Sequence, residues 1–143
     1  MSAAYLPYAL LAMGAYSLVS PLMRVATTGS GAVPSDVAVV VSNSLLVLIA
    51  LSVLWYTEQD LFSNISSPKI AYVLAAGVLL AIGILALYRS LALGPVSVVT
   101  PIFAMFLVIS SAIGFLLLGE EFTTRKALGI VFAALAVYFV SGG

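Results

Sequence analysis

Cysteine and histidine are both missing from this sequence of 143 residues. Their absence excludes disulfide bonds, thiolate nucleophiles and metal sites built from Cys and His. We therefore predict no metal site and no cofactor.

Charge is also scarce. Only 7% of the residues are charged, whereas 64% are hydrophobic, and the mean hydropathy is +1.27. A soluble domain carries about 25% charged residues, so this chain could not cover its surface with polar groups in water. The sequence predicts an integral membrane protein whose main partner is the lipid bilayer. The formal net charge is zero and no basic run is present, so nucleic acid is not an expected partner.

The few carboxylates all lie at or near the ends of apolar runs, not at their centres. They are Asp36, Glu58, Asp60, Glu120 and Glu121. Ionisable groups inside the membrane are the usual components of proton relays, and catalysis needs acids, bases or nucleophiles that can be brought together. The sequence therefore argues against an intramembrane enzyme, and we predict no catalytic residues.

The apolar runs are long and are separated by short segments rich in Gly, Pro and polar residues. A helix needs about 20 apolar residues to cross about 30 Å of hydrocarbon. We predict an all-α membrane protein with a single domain over residues 1–143 and five transmembrane helices, at about 5–25, 37–57, 69–93, 96–118 and 125–141. Ser35 is the expected N-cap of the second span, Thr123 or Thr124 that of the fifth, and residues 58–68 form a polar loop.

Pro101 lies inside the fourth predicted span. A proline there clashes with the carbonyl of Ser97 and leaves it without a hydrogen bond, which is costly in lipid unless protein or water satisfies it. Ser97, Thr100 and Pro101 share one helix side with Ala104 and Val108, so this side should face protein or a wet cavity. We take these first three as candidate substrate-binding residues; the alternative is a packing kink without a ligand.

Three further polar side chains are candidates for the same cavity. Tyr16 lies too deep in the first span for an interfacial aromatic belt, and Tyr88 lies near the end of the third. Asn43 is in the middle of the second span and must find hydrogen-bond partners there. A bond between helices is the alternative to substrate contact for Asn43.

Small residues at four-residue spacing allow helices to approach closely. We predict such packing positions at Ser110 and Gly114 in the fourth span and at Gly129 and Ala133 in the fifth. The charged turn between these spans, residues 119–126, is expected to form local ion pairs on a solvated surface.

The basic residues favour neither side of the membrane strongly. Lys69, Arg125 and Lys126 would lie on the N-terminal side, Arg24 and Arg89 on the other. Cytoplasmic loops normally carry an excess of Lys and Arg, so a chain with this distribution could insert in both orientations. The alternative is that another feature sets the orientation. Arg24 closes the first span and can snorkel to the interface.

Residues 88–129, YRSLALGPVSVVTPIFAMFLVISSAIGFLLLGEEFTTRKALG, resemble the EamA domain of the drug/metabolite transporter superfamily. The matching features are Gly94-Pro95 after small residues, Pro101 in the next span, the Gly119-Glu120 turn and Gly129. The clear match runs from about residue 88 to the C-terminal end. The first three spans agree in number and length, not in motif.

The resemblance implies a secondary transporter with a five-helix repeat and a central substrate cavity. Members of the family usually carry two such repeats in one chain, related by inverted topology, whereas this sequence holds one. A single repeat could reproduce the arrangement by pairing with an oppositely inserted copy, giving a ten-helix antiparallel homodimer. The four-span small multidrug resistance proteins of the same superfamily work in this way, but they carry a glutamate in the first span that this chain lacks.

These expectations combine into a functional hypothesis. The chain is predicted to be a transporter subunit of the plasma membrane that moves a small organic metabolite or amphipathic compound by alternating access as a homodimer. The first, third and fourth spans would line the cavity. The alternative is a structural half-transporter subunit that needs a different membrane protein as its partner.

Overall fold

The computed structural model describes residues 3–141, and every regular element within that range is helical. A short 3-10 turn (Ala3–Tyr5) leads into helix α1. The helices are α1 (Leu6–Ala26), α2 (Ser35–Tyr56), α3 (Leu61–Ile65), α4 (Ile70–Leu93), α5 (Val96–Ala104), α6 (Phe106–Leu117) and α7 (Thr124–Ser141).

Four segments of the described chain are long and apolar enough to cross a bilayer. They are α1, α2, α4 and the stretch Val96–Leu117, and they correspond to the first four predicted spans. Helix α7 coincides with the fifth predicted span but is not one of the four. Its membrane crossing, and the organisation of residues 1–143 as one domain, stay predictions.

The starts of two helices test the predicted caps. Pro34, not Ser35, is the N-cap residue of α2, and the Pro34 carbonyl accepts from the N–H of Ala38 at 3.0 Å. The prediction for Ser35 is wrong, because Pro34 has the non-helical backbone of an N-cap residue (φ −54°, ψ 139°) and Ser35 is already the first residue of the helix. At α7, Thr123 is confirmed as a cap: its Oγ1 accepts from the N–H of Lys126 at 3.3 Å.

The loop predicted over residues 58–68 contains the short helix α3, so that prediction is wrong in part. The Asp60 carboxylate accepts from the N–H of Phe62 at 3.0 Å, and Asn64 Nδ2 donates to the Asp60 carbonyl at 2.6 Å. An Asp N-cap followed by an Asn bond back to the cap residue stabilises this single turn.

The fourth predicted span is not one continuous helix, which corrects the prediction of a single helix over 96–118. Helix α5 ends at Ala104 and α6 begins at Phe106. Between them the N–H of Met105 bonds the carbonyl of Ile102 at 3.1 Å, three residues back. This bond to the third residue back, in place of one to Pro101 four residues back, is a single 3-10 turn that separates α5 from α6.

The helices group into two compact units, with the boundary between Leu93 and Gly94. In the first unit α4 packs against α1 and α2, and in the second α7 packs against α5 and α6. The buried residues of the first unit lie towards the C-terminal ends of α1 and α4 and the N-terminal end of α2. They are Ser20, Thr27, Ala38, Leu87, Tyr88 and Leu91, and we call them the unit-1 core.

Candidate functional site

Tyr88 belongs to the unit-1 core and is only 4% exposed. Its hydroxyl lies 3.4 Å from the hydroxyl of Ser42 on α2, and Ser42 also donates to the Val39 carbonyl at 3.3 Å. The polar tip of the tyrosine is therefore satisfied between two helices, as buried tyrosines usually are.

Asn43 lies beside this contact but takes no part in it. Its amide nitrogen donates to the Val39 carbonyl of its own helix at 2.8 Å. The side chain borders an open groove of about 670 Å³ between α2 and α4. We call it the α2–α4 groove; its lining residues are Val39, Val40, Asn43, Ser44, Val47 and Leu48 of α2 and Gly77, Leu80, Ala81, Ile84 and Leu85 of α4. The bond between α2 and α4 comes from Ser42 instead, so the expected interhelical role of Asn43 is not seen within residues 3–141.

Tyr16 is 65% exposed on α1 and lies outside the unit-1 core. It shares no hydrogen bond with Asn43 or Tyr88 in the described structure. Among the three candidates of the first unit, the fold therefore brings Asn43 and Tyr88 to the same pair of helices and leaves Tyr16 apart.

In the second unit, Thr100 and Pro101 line a groove of about 400 Å³ between the broken span and α7. We call it the Thr100 groove; it is completed by Ala104, Met105, Leu107, Val108, Ala133, Ala136, Val137 and Val140. The Thr100 hydroxyl oxygen is buried and has no hydrogen-bond partner in the described part of the chain. Ser97, the third candidate on this helix side, is exposed and outside the groove.

The predicted packing residues occupy different environments. Gly129 and Ala133 line a second groove between α6 and α7. Gly114 is buried, but it faces its own turn: a Cβ there would lie 3.1 Å from the carboxylate of Glu120. Ser110 is exposed.

Within the described residues, Lys126 of the charged turn does not form the expected ion pair. The Lys126 ammonium donates to the main-chain carbonyl of Glu121 at 3.0 Å and lies 5.6 Å from the centre of the Phe115 ring. The Glu120 carboxylate folds against Gly114 instead, because Gly119, with φ of +68°, reverses the chain there.

Arg24 has a role that sequence analysis missed. One of its guanidinium nitrogens donates to the carbonyls of Leu91 at 2.7 Å and Ala92 at 3.1 Å. The side chain therefore closes the C-terminal end of α4, and its snorkelling to the interface stays a prediction. The Gly94-Pro95 break was the available signal, because a helix that stops there leaves carbonyls that need donors.

The sequence model of the EamA-like transporter family matches residues 4–142. The chain belongs to the EamA-like transporter family. The similarity found in residues 88–129 thus extends over all the predicted spans. No curated protein and no solved structure is similar enough to count as a match. Family membership and the four apolar segments make this EamA-like chain an integral, multi-pass membrane protein.

The two grooves of this EamA-like chain share a chemical character. Among residues 3–141, no charged side chain lines the α2–α4 groove or the Thr100 groove. Their polar groups are one amide and two hydroxyls in otherwise apolar surroundings. Such surfaces bind apolar or aromatic groups and orient them with a few hydrogen bonds.

Proposed function

We propose that the chain is a subunit of a secondary transporter in the plasma membrane, moving a small organic metabolite or amphipathic compound as a homodimer. The observation that carries this proposal is the family match over residues 4–142. The nearly even distribution of basic residues supports pairing with an oppositely inserted copy, as the sequence predicts.

The Thr100 groove is the proposed solute contact within this function. A buried hydroxyl without a protein partner is costly, and a solute that accepts or donates a hydrogen bond there would remove that cost. The surrounding alanine, valine and leucine side chains suit an aromatic or aliphatic group. The apolar part of a small organic solute, such as an aromatic compound or the side chain of an aromatic amino acid, fits this combination.

The interruption at Met105 supports movement around this contact. Broken membrane helices are common at transporter binding sites, because free backbone groups are tolerated only beside protein or a cavity. Thr100 and Pro101 lie on the α5 side of the break and Leu107 and Val108 on the α6 side, so a change in angle between α5 and α6 would reshape the groove. We propose this as the local step of alternating access.

Transport by the purified protein in liposomes tests the proposal, with radiolabelled phenylalanine and ethidium as the two probes. The variant Thr100→Val removes the hydroxyl while keeping the shape of the side chain. A lost hydrogen bond of about 1 kcal/mol should lower uptake at limiting solute about fivefold.

The matched control is Thr57→Val at the end of α2. Thr57 is exposed, and its hydroxyl bonds the carbonyls of Val53 and Leu54 in its own helix. Its loss should leave uptake unchanged. Equal uptake by wild type and Thr100→Val would exclude the Thr100 groove as the solute contact. Purification with a second, different membrane protein and no transport without it would favour the half-transporter alternative.

A further inference from the structure

Two polar side chains at the middle of α2 lack full hydrogen bonding in the described structure. Asn43 uses one amide N–H for the Val39 carbonyl, so its side-chain oxygen and second N–H remain. The exposed Ser44 hydroxyl beside it has no bond to residues 3–141. Both line the α2–α4 groove. Hydrocarbon offers neither donors nor acceptors, so these groups favour an occupant that supplies both.

The residues along this side of α2 match those of a second α2 running in the opposite direction, because an amide would face a hydroxyl and apolar side chains would face apolar ones. The α2 residues of the groove form three pairs centred between Asn43 and Ser44. Val40 and Val47 flank that centre, and Val39 and Leu48 lie outside them. A two-fold axis through the centre would set Asn43 against Ser44 of another α2 running in the opposite direction. The contact is then reciprocal, as a two-fold interface requires.

The depth of this centre fits the same arrangement. Helix α2 runs from Ser35 to Tyr56. The midpoint of the helix therefore lies about two residues, or about 3 Å along the helix axis, from the point between Asn43 and Ser44. An oppositely inserted copy is related by an axis near the bilayer midplane, where the centre lies. The small Ser44, with Gly77 and Ala81 across the groove, allows another helix to approach closely.

We propose that this side of α2, the Asn43 face, binds the Asn43 face of a second copy inserted in the opposite orientation. The Asn43 face consists of Val39, Val40, Asn43, Ser44, Val47 and Leu48. Asn43 of each copy bonds Ser44 of the other, and the valines and leucine pack around the two bonds. A lipid chain in this groove would leave the amide and hydroxyl unbonded, so a second copy is the better occupant. The inference rests on the proposed homodimer and names the surface that forms it.

Cysteine cross-linking tests the arrangement, because the chain has no cysteine of its own. Chains with Val40→Cys and a large tag are produced in the same cells as chains with Val47→Cys and a small tag. Membranes are then oxidised with copper phenanthroline. The antiparallel contact places position 40 opposite position 47, so the mixed dimer should form. Two copies of Val40→Cys would be about 10 Å apart along the helix, beyond the reach of a disulfide.

The control is Leu45→Cys, which is 58% exposed at the same depth on another side of α2 and should not cross-link. Asn43→Leu in the Val40→Cys and Val47→Cys chains should lower the yield of the mixed dimer about fivefold. Asn64→Leu in the exposed helix α3 should leave it unchanged.

Three results would overturn the inference. Cross-linking of Val40→Cys with itself would show parallel copies. Efficient cross-linking through Leu45→Cys would move the contact to another side of α2. A single cysteine at Ser66, in the segment between α2 and α4, reports the orientation when it is labelled with a membrane-impermeant thiol reagent. No mixed dimer, although Ser66→Cys is labelled from both sides of the membrane, would exclude this face and leave the antiparallel homodimer intact. Labelling from one side only would count against the homodimer itself.

Discussion

At the scale of the residue, Arg24 supplies hydrogen bonds that α4 cannot make for itself. Helix α4 has no basic residue in its last turn, and Leu91, near its C-terminal end, is fully buried. Arg24→Gln should lower the free energy of unfolding by about 2 kcal/mol, because charge-assisted bonds to two carbonyls are lost. Thermal unfolding of the purified protein in detergent measures the loss.

Arg89→Gln is the matched control for Arg24. Arg89 is exposed on α4, close to the same helix end, and its replacement should change the free energy of unfolding by less than about 0.5 kcal/mol. If the two variants shifted the unfolding temperature equally, the bonds from Arg24 to α4 would not contribute to stability.

Two substitutions of Tyr88 distinguish the contribution of its buried ring to stability from that of its hydroxyl hydrogen bond. Its bond to Ser42 is long, at 3.4 Å, so Tyr88→Phe should cost only about 0.6 kcal/mol, a typical value inside membranes. Tyr88→Ala should cost about 3 to 5 kcal/mol, because the ring is buried in the unit-1 core. The same two changes at Tyr72, which is 80% exposed on α4, serve as controls for both unfolding measurements.

A large effect of Tyr88→Phe on stability would contradict this division and place the main contribution in the hydroxyl. A transport defect in Tyr88→Phe without a stability defect would instead support the predicted cavity role of Tyr88.

Some properties of the candidate residues are set within a single helix and could be predicted from the sequence. Others depend on the packing between helices and could not. Pro101 disturbs its own helix, so a disturbance near Thr100 could be predicted from the sequence of a single span, whereas the α7 side of the Thr100 groove could not. The burial of Tyr88 against Ser42 and the reach of Arg24 to Leu91 depend on which helices pack together. Hydropathy carries no information about that choice, because every span is apolar on most sides.

At the scale of the element, the starts and ends of the first three spans were predictable to within two residues. Prolines, glycines and the length of hydrocarbon determine them. Helix α3 was missed because a single capped turn has no apolar periodicity, although Asp60 was a visible cap. The exact place of the α5–α6 break was not predictable either, since methionine is not a residue type that interrupts helices.

The end of α6 gives a prediction for an element boundary. Gly119 has φ of +68°, and the turn it makes lets the N–H of Glu120 reach the Gly114 carbonyl at 3.1 Å. Gly119→Ala should lower the free energy of unfolding by about 1 kcal/mol, because a Cβ disfavours this left-handed conformation. Equilibrium unfolding in detergent measures the change.

Gly83→Ala is the control for Gly119. A Cβ at Gly83 would meet no atom within 4 Å, and Gly83 lies within α4, where alanine is favoured over glycine by about 0.5 to 1 kcal/mol. The two substitutions should therefore have opposite signs. Destabilisation by Gly83→Ala, or none by Gly119→Ala, would contradict the role given to the turn.

At the scale of the whole molecule, the open question is the direction of insertion. Helix α2 lies between the α1–α2 loop and the segment that holds α3, so Ser30 and Ser66 lie on opposite sides of the membrane in any one orientation. Both residues are exposed, and the chain has no other thiol to label. Single cysteines at these two positions therefore report the orientation independently.

The weak bias of the basic residues predicts insertion in both directions. With a membrane-impermeant thiol reagent, about half of the Ser66→Cys molecules should react in intact cells, and the rest only after permeabilisation. Ser30→Cys should give the complementary half. Complete labelling at one position and none at the other would establish a single orientation. The antiparallel homodimer would then be excluded whatever its contact surface, because no copy would be present in the orientation that it needs.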